Sequence, residues 1–293
     1  MPSFAQRFPL LFPVGLLLIS MLSIQAGAAL AKSLFPLVGA AGTTALRLVF
    51  ATLLLGLALR PWRRRLSAEA WRRVALFGVC LGSMNLLFYQ AIQTVPLGIA
   101  VALEFTGPLC VAILASRRLL DFAWIALAIL GLALLLPHEG ADRLDPWGAT
   151  MALAAGVCWG LYIVLGQRAG SQAGSAGIGY AMAIAAVTAL PFGLFDGGAA
   201  LFDLGLIPLA LGVALLSSAL PYSLEMIALT RLPARTFGTL MSLEPVSGAL
   251  SGLVFLGERL TLLQLLAIAA IILASAGATL TSRPKGPPPA ELG

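Results

Sequence analysis

The sequence predicts an all-α polytopic membrane protein, with ten transmembrane helices arranged as two inverted five-helix repeats. Three observations carry this expectation: an apolar composition, a series of apolar runs near 20 residues long, and an internal repeat. Apolar residues make up 60% of the 293, charged residues only 10%, and the mean hydropathy is +0.99. Soluble domains are nearly half apolar and about one-quarter charged. This chain has too few polar residues to clothe a surface in water, so lipid must be the solvent for most of it.

A span needs roughly 20 apolar residues at about 1.5 Å rise each. The first candidate is Leu11–Ala31. Arg7, the apolar stretch Leu10 to Leu22 and Ala29-Leu30-Ala31 imitate a secretion signal with its cleavage site. The run is long and further spans follow it, so it reads as a retained helix. Gly42–Leu59, Val74–Val95, Leu97–Ser116 and Phe122–Leu136 complete the first set. The second set is Trp147–Gly166, Ala176–Phe195, Leu206–Leu229, Thr236–Phe255 and Leu262–Leu280. Residues 1–138 and 139–282 form the two repeats, and the proline-rich 283–293 is a short disordered tail.

The repeat shows in two matched segments. Thr94-Val95-Pro96 precedes a span carrying Pro108, and Arg231-Leu232-Pro233 precedes a span carrying Pro245, with the same offset (233 − 96 = 245 − 108 = 137). Five spans are an odd number, so the second copy enters the membrane upside down, the usual build of secondary transporters.

Charge placement sets the orientation. With a cytoplasmic N-terminus, the inner segments hold Arg7, Arg60, Arg63, Arg64, Arg65, Arg72, Arg73, Arg117, Arg118, Arg168, Arg231, Arg235, Arg283 and Lys285. The outer ones hold only Lys32, Arg143 and Arg259, so both termini are expected in the cytoplasm. The net charge of +6 does not indicate a nucleic-acid partner, because the arginines lie between apolar runs without aromatic interleaving. Cys80, Cys110 and Cys158 sit inside apolar runs, and His138 is the only histidine. No metal site and no cofactor are expected, and the cysteines read as small packing residues.

Four charges fall inside spans, where each is a functional hypothesis: Arg47, Glu104, Glu225 and Glu244. Glu104 lies about 12 Å below the outer end of the fourth span, counting 1.5 Å per residue. Pro108 has no N–H, so the carbonyl left without its helical partner is that of Glu104, and Gly107 adds flexibility beside it. A carboxylate and a freed carbonyl at one level suit a cation or proton. Arg47 lies at a comparable depth. It forms either an ion pair with Glu104 or one end of an amino-acid site, Arg47 on the carboxylate and Glu104 on the ammonium. Glu244 precedes Pro245, which frees the carbonyl of Met241, and Pro221 frees that of Ser217. Glu225 reads as an interfacial partner of Arg231 or Arg235. Gln25, Asn85, Tyr89, Trp159, Tyr162 and Tyr222 are candidate cavity residues, although for each taken alone a hydrogen bond to a neighbouring helix is the more common role. Asn85 and Tyr89, four apart, share a face. There is no phosphate-binding loop, dinucleotide fingerprint or nucleophile motif, so neither an enzyme nor an ATP-driven pump is expected.

Several stretches carry a resemblance: Ser23-Ile24-Gln25, Ala31-Lys32-Ser33-Leu34-Phe35-Pro36-Leu37-Val38-Gly39 and Thr43-Thr44-Ala45-Leu46-Arg47-Leu48. To these add the run from Gln93 through Glu104-Phe105-Thr106-Gly107-Pro108-Leu109, the run from Ala219 through Pro221-Tyr222-Ser223-Leu224-Glu225 to Pro233, and Arg235 to Ser242. The chain resembles the bacterial inner-membrane threonine/homoserine exporters of the EamA group, in the drug/metabolite transporter superfamily. The resemblance runs from the first span to the tenth and departs mainly at the N-terminus, the His138–Asp145 loop, the seventh span and the tail. It implies two inverted five-helix repeats around a central cavity, and efflux of threonine and homoserine driven by the proton gradient. Export of drugs or other metabolites on the same fold is the alternative, and the sequence is compatible with a monomer or a homodimer.

Overall fold

The computed structural model describes residues 11–114, 119–135, 144–229 and 241–281; side chains at 11, 112, 135, 167–175, 222, 226–229 and 278–279 are not described. The expected disordered tail, the His138–Arg143 loop, and Arg231 and Arg235 lie outside these residues. The described residues form helices only: α1 (Leu11–Ala31), α2 (Phe35–Leu59), α3 (Ala68–Ala91), α4 (Leu97–Glu104), α5 (Thr106–Leu114) and α6 (Leu119–Leu135). They continue as α7 (Pro146–Gly197), α8 (Ile207–Ala214), a π-helical turn (Leu215–Ala219), α9 (Leu220–Leu229), α10 (Glu244–Leu256) and α11 (Leu262–Thr281).

Local chemistry sets the helix ends. The Ser67 hydroxyl accepts from Ala70 N–H at 3.2 Å and starts α3, whose first turn carries the Glu69–Arg73 pair. Asp145 accepts from Gly148 N–H at 2.9 Å, and Pro146 occupies the first turn of α7. Gly257, at φ 64°, closes α10 in the left-handed conformation that glycine adopts without strain. The second expected span starts earlier than Gly42, because the chain is helical from Phe35 and kinks at Gly39 (φ 70°), where the Asp196 carboxylate occupies the space a Cβ would fill.

Pro146–Gly197 is one helical stretch of 52 residues, about 78 Å if straight and far longer than a roughly 30 Å hydrocarbon layer. Its contacts show that it does not run straight. Along its first arm, Gly148 packs on Val95, the Cys80 thiol donates to Cys158 O at 3.0 Å, and Tyr162 stacks on Phe77 at 4.6 Å. Along its last arm, Tyr180 meets Trp71, then Gly78 packs on Ala181 and Gly82 on Ala185. The first arm descends α3 and the last ascends it, so the packing direction reverses between Gly166 and Tyr180. The expected sixth and seventh spans are these two arms.

Helices α1 and α2 form a second hairpin. Ser20 bonds Pro221 O, Ser23 bonds Leu216 O and Leu30 packs on Gly212, so α1 runs against α8 and α9. Helix α2 runs with them, from Gly42 on Leu201 to Arg47 on Ser217.

Five described stretches are long and apolar enough to cross a membrane: Phe12–Leu59, Ala68–Ala91, Pro146–Gly166, Ala176–Phe202 and Leu204–Glu225. These are five long stretches against the ten spans expected, and Phe12–Leu59 holds the first two of those. Leu97–Val111, Leu119–Leu134, Glu244–Leu256 and Leu262–Gly277 are shorter apolar helices. The first of these is interrupted at Phe105, and residues 115–118, 136–143 and 230–240 near the next two lie outside the described residues. Large apolar side chains such as Leu114, Leu119, Phe195 and Val254 point outward, as lipid contact requires, while small residues fill the interior.

Candidate substrate and coupling site

Arg47 is 6% exposed and anchors the middle of the bundle. Pro221 lacks the N–H that would bond Ser217 O, and the chain widens there into the π-helical turn Leu215–Ala219. The released carbonyl is where Arg47 binds: its Nη2 donates to Ser217 O at 2.9 Å and its Nε to Ser218 Oγ at 3.1 Å. The guanidinium also lies 5.1 Å from the centre of the Tyr89 ring, a cation–π contact. Asn85, one turn before Tyr89 on the same buried face, turns its amide back onto Leu81 O at 2.8 Å.

Glu104 is 8% exposed and ends α4. The helix breaks at Phe105 before resuming as α5. The carbonyl freed by Pro108 lies against α7, where a Cβ at Gly156 would come within 2.6 Å of it. The backbones of Gly107 and Gly156 cross in direct contact, and Phe105 meets Trp159 edge-on at 5.6 Å. Arg47 is within electrostatic reach of the Glu104 carboxylate. No ion pair joins them among the described residues, so the ion-pair reading of Arg47 is replaced by its bonds to Ser217 and Ser218.

Glu244, 5% exposed, opens α10 immediately after turn residues Ser242 and Leu243. The offset of 137 carries Phe105 onto Ser242 (105 + 137 = 242), so a turn residue stands three positions before each of the two prolines. Glu244 is within electrostatic reach of both Glu104 and Glu225. Glu225 accepts a hydrogen bond from Ser20 Oγ at 2.9 Å; its expected arginine partners lie outside the described residues.

Two central polar atoms have no hydrogen-bond partner among the described residues: Gln25 Oε1 and the Tyr89 hydroxyl, on side chains 3% and 0% exposed. Tyr162 is not part of this centre. It stacks on Phe77, 12 residues or about 18 Å along α3 from Tyr89. The Tyr222 side chain is outside the described residues. Ser20, Ser217 and Ser218 were missed by sequence reasoning, although Ser217 was flagged through its carbonyl. Among the described residues no His, Cys, Asp and Glu group is arranged to hold a metal. A cleft of about 200 Å³, lined by residues such as Leu46, Phe50, Asp203 and Ile207, shares no residue with the charge centre.

A helical bundle with an apolar exterior and charged side chains buried at its centre is the build of a membrane transporter. The EamA-like transporter family matches residues 146–280 of the chain. The chain is 57% identical over 284 residues to the threonine/homoserine exporter RhtA of Escherichia coli K12, covering 97% of this chain and 96% of that one. It is 56% identical, with the same coverage, to the protein of that name in Salmonella typhimurium LT2. It belongs to the EamA-like transporter family. A protein crystal structure, 25% identical, superposes with a TM-score of 0.60, covering 91% of this chain and 96% of its own.

Proposed function

We propose that the protein is a secondary active exporter of small amino acids, chiefly threonine and homoserine. It works in the inner membrane, by alternating access coupled to the proton gradient. The observation that carries this is the 57% identity, across 97% of the chain, to a protein named as a threonine/homoserine exporter. The site chemistry agrees with a zwitterionic substrate. Arg47 still has unassigned N–H groups for a carboxylate, while Glu104 and Glu244 offer acceptors for an ammonium. Proton coupling is assigned to Glu104, a carboxylate held away from solvent beside a break in its helix.

The proposed architecture is ten helices in two inverted repeats, residues 1–138 and 139–282, with both termini cytoplasmic. Splitting Phe12–Leu59 at its hairpin gives six long spans, and the four shorter apolar helices bring the number to ten. The matched breaks at Phe105 and Ser242 support the repeat. Opposite packing of the two α7 arms supports an inverted, membrane-crossing pair.

The test is efflux from cells lacking other exporters, with a substrate panel that includes drugs and purines. Threonine and homoserine should leave and toxic homoserine should be tolerated; export of drugs with no amino-acid export would overturn the proposal. In inverted vesicles, Glu104→Gln should reduce proton-driven threonine uptake about tenfold or more. Unchanged uptake removes Glu104 from the coupling role.

A further inference from the structure

We infer that Gln25 reads the substrate's hydroxyl group, an assignment that rests on the exporter reading above and deepens it. The helical stripe of α1 shows where Gln25 faces. Ser20, Ser23 and Gly27 all face the π-turn and α9. Gln25 is two residues from Ser23 and from Gly27, on the opposite side of the helix. It continues instead the stripe of Leu17 and Met21, which pack on Met241 and Leu243. One turn past Met21 on that stripe, Gln25 lies on the face of α1 turned toward the residues that lead into α10, whose first residue is Glu244.

The Gln25 side chain is 3% exposed, and its Oε1 has no hydrogen-bond partner among the described residues. A buried amide oxygen without a donor is unfavourable, and native folds keep such groups where a ligand or water supplies one. It is an acceptor only, so its ligand must present a donor. Glu104 and Glu244 are the stronger acceptors for an ammonium, and Arg47 suits the substrate carboxylate. The remaining donor on threonine or homoserine is the hydroxyl, and a neutral acceptor suits it. In threonine the ammonium and hydroxyl sit on adjacent carbons, which calls for an amide oxygen on the same side of the site as a carboxylate, and Glu244 opens the helix that this face of α1 meets.

Removing the hydroxyl from either threonine or homoserine yields the same compound, L-2-aminobutyrate, which serves as the probe for both. In vesicles holding matched amounts of protein, the wild type should prefer threonine over L-2-aminobutyrate by roughly 10- to 100-fold, since sites built to bond a hydroxyl reject its deoxy analogue strongly. Gln25→Met, similar in size but without the acceptor, should bring that ratio near one while L-2-aminobutyrate export continues. Gln25→Glu, which keeps an acceptor, should retain the preference. A Gln25→Met protein that keeps the wild-type ratio overturns the assignment, as does one that loses both amino acids in proportion while Gln25→Glu does the same. A wild type that exports none of the three amino acids overturns the exporter reading itself.

Discussion

At Arg47, one residue ties a membrane charge to a backbone defect. Its guanidinium bonds Ser217 O, the carbonyl that Pro221 cannot bond, and Ser218 Oγ, from a planar fork that lysine lacks. Arg47→Lys keeps the charge but cannot hold both bonds in that geometry. We expect it to raise the threonine concentration for half-maximal transport by about tenfold in reconstituted vesicles, with Arg47→Ala worse. Unchanged values for both variants would leave Arg47 a purely structural role. Much of this residue was legible in advance, because an arginine in a span and a proline-freed carbonyl are both sequence features. What the sequence did not reveal was that they meet. Residues 47 and 217 are 170 positions apart, and only packing of α2 against the π-turn brings them together. Gln25 is a candidate in the sequence as well, but that its Oε1 has no partner among the described residues is visible only in the packed bundle, since any span glutamine can find a neighbouring helix.

Among the elements, the breaks were more legible than the crossings. Pro108 and Pro245 announce interruptions, and these fall three residues before each proline, at Phe105 and Ser242. The reversal within Pro146–Gly197 was readable as a gap between two apolar runs. The closest crossing was not, because the chain has 31 glycines and nothing in one sequence marks those that touch. Backbone contact of Gly107 with Gly156, and of Gly98 with Ala249, leaves no room for a side chain: a Cβ on Gly98 would lie 2.5 Å from the Ala249 backbone. Overpacking of this kind costs about 1–3 kcal/mol. We expect Gly156→Ala and Gly98→Ala to lower the melting temperature in detergent by several degrees. Gly15→Ala, with nothing within 4 Å of its new Cβ, should leave it unchanged. A melting temperature unaltered by all three would mean that the crossings are looser than described.

Across the whole molecule, three carboxylates at and beyond residue 145 hold groups within the first hundred residues. Asp196 accepts from Ala41 N–H at 3.0 Å, Asp145 from the Thr94 hydroxyl at 2.6 Å, and Glu258 from Leu97 N–H at 2.7 Å while pairing with Lys32 at 3.0 Å. All lie in segments that the arginine count assigns to the outer face. The Thr94 hydroxyl, and then the Gly148 and Trp147 N–H groups, hold the Asp145 carboxyl below the usual range. A carboxyl so depressed adds stability above its ordinary pKa of about 3.9, and that stability is lost as pH falls through the lower folded value. The melting-temperature gap between wild type and Asp145→Asn should therefore stay constant from neutral pH to about 5 and narrow below about 4. A gap that widens on acidification would refute this.

Glu258 makes the most links at that end, because one residue joins the α1–α2 turn, the start of α4 and the end of α10. The Lys32 and Glu258 side chains are 22% and 14% exposed, and removing the Glu258 carboxylate also leaves Leu97 N–H without its acceptor. Under the alternating-access proposal, the expected effect is a shift of that end toward an open form. In a protein whose three cysteines are replaced by alanine, Ser251→Cys places a thiol on α10, 3% exposed and about two turns from Glu258. Glu258→Ala should raise its labelling by an impermeant maleimide several-fold in intact cells, and Glu258→Gln, which keeps one acceptor but loses the charge, should fall between. If threonine transport also becomes less dependent on the proton gradient, the outer closure is part of the transport cycle. Labelling that does not change with either variant would show that the glycine crossing of α4 and α10 keeps this end shut unaided.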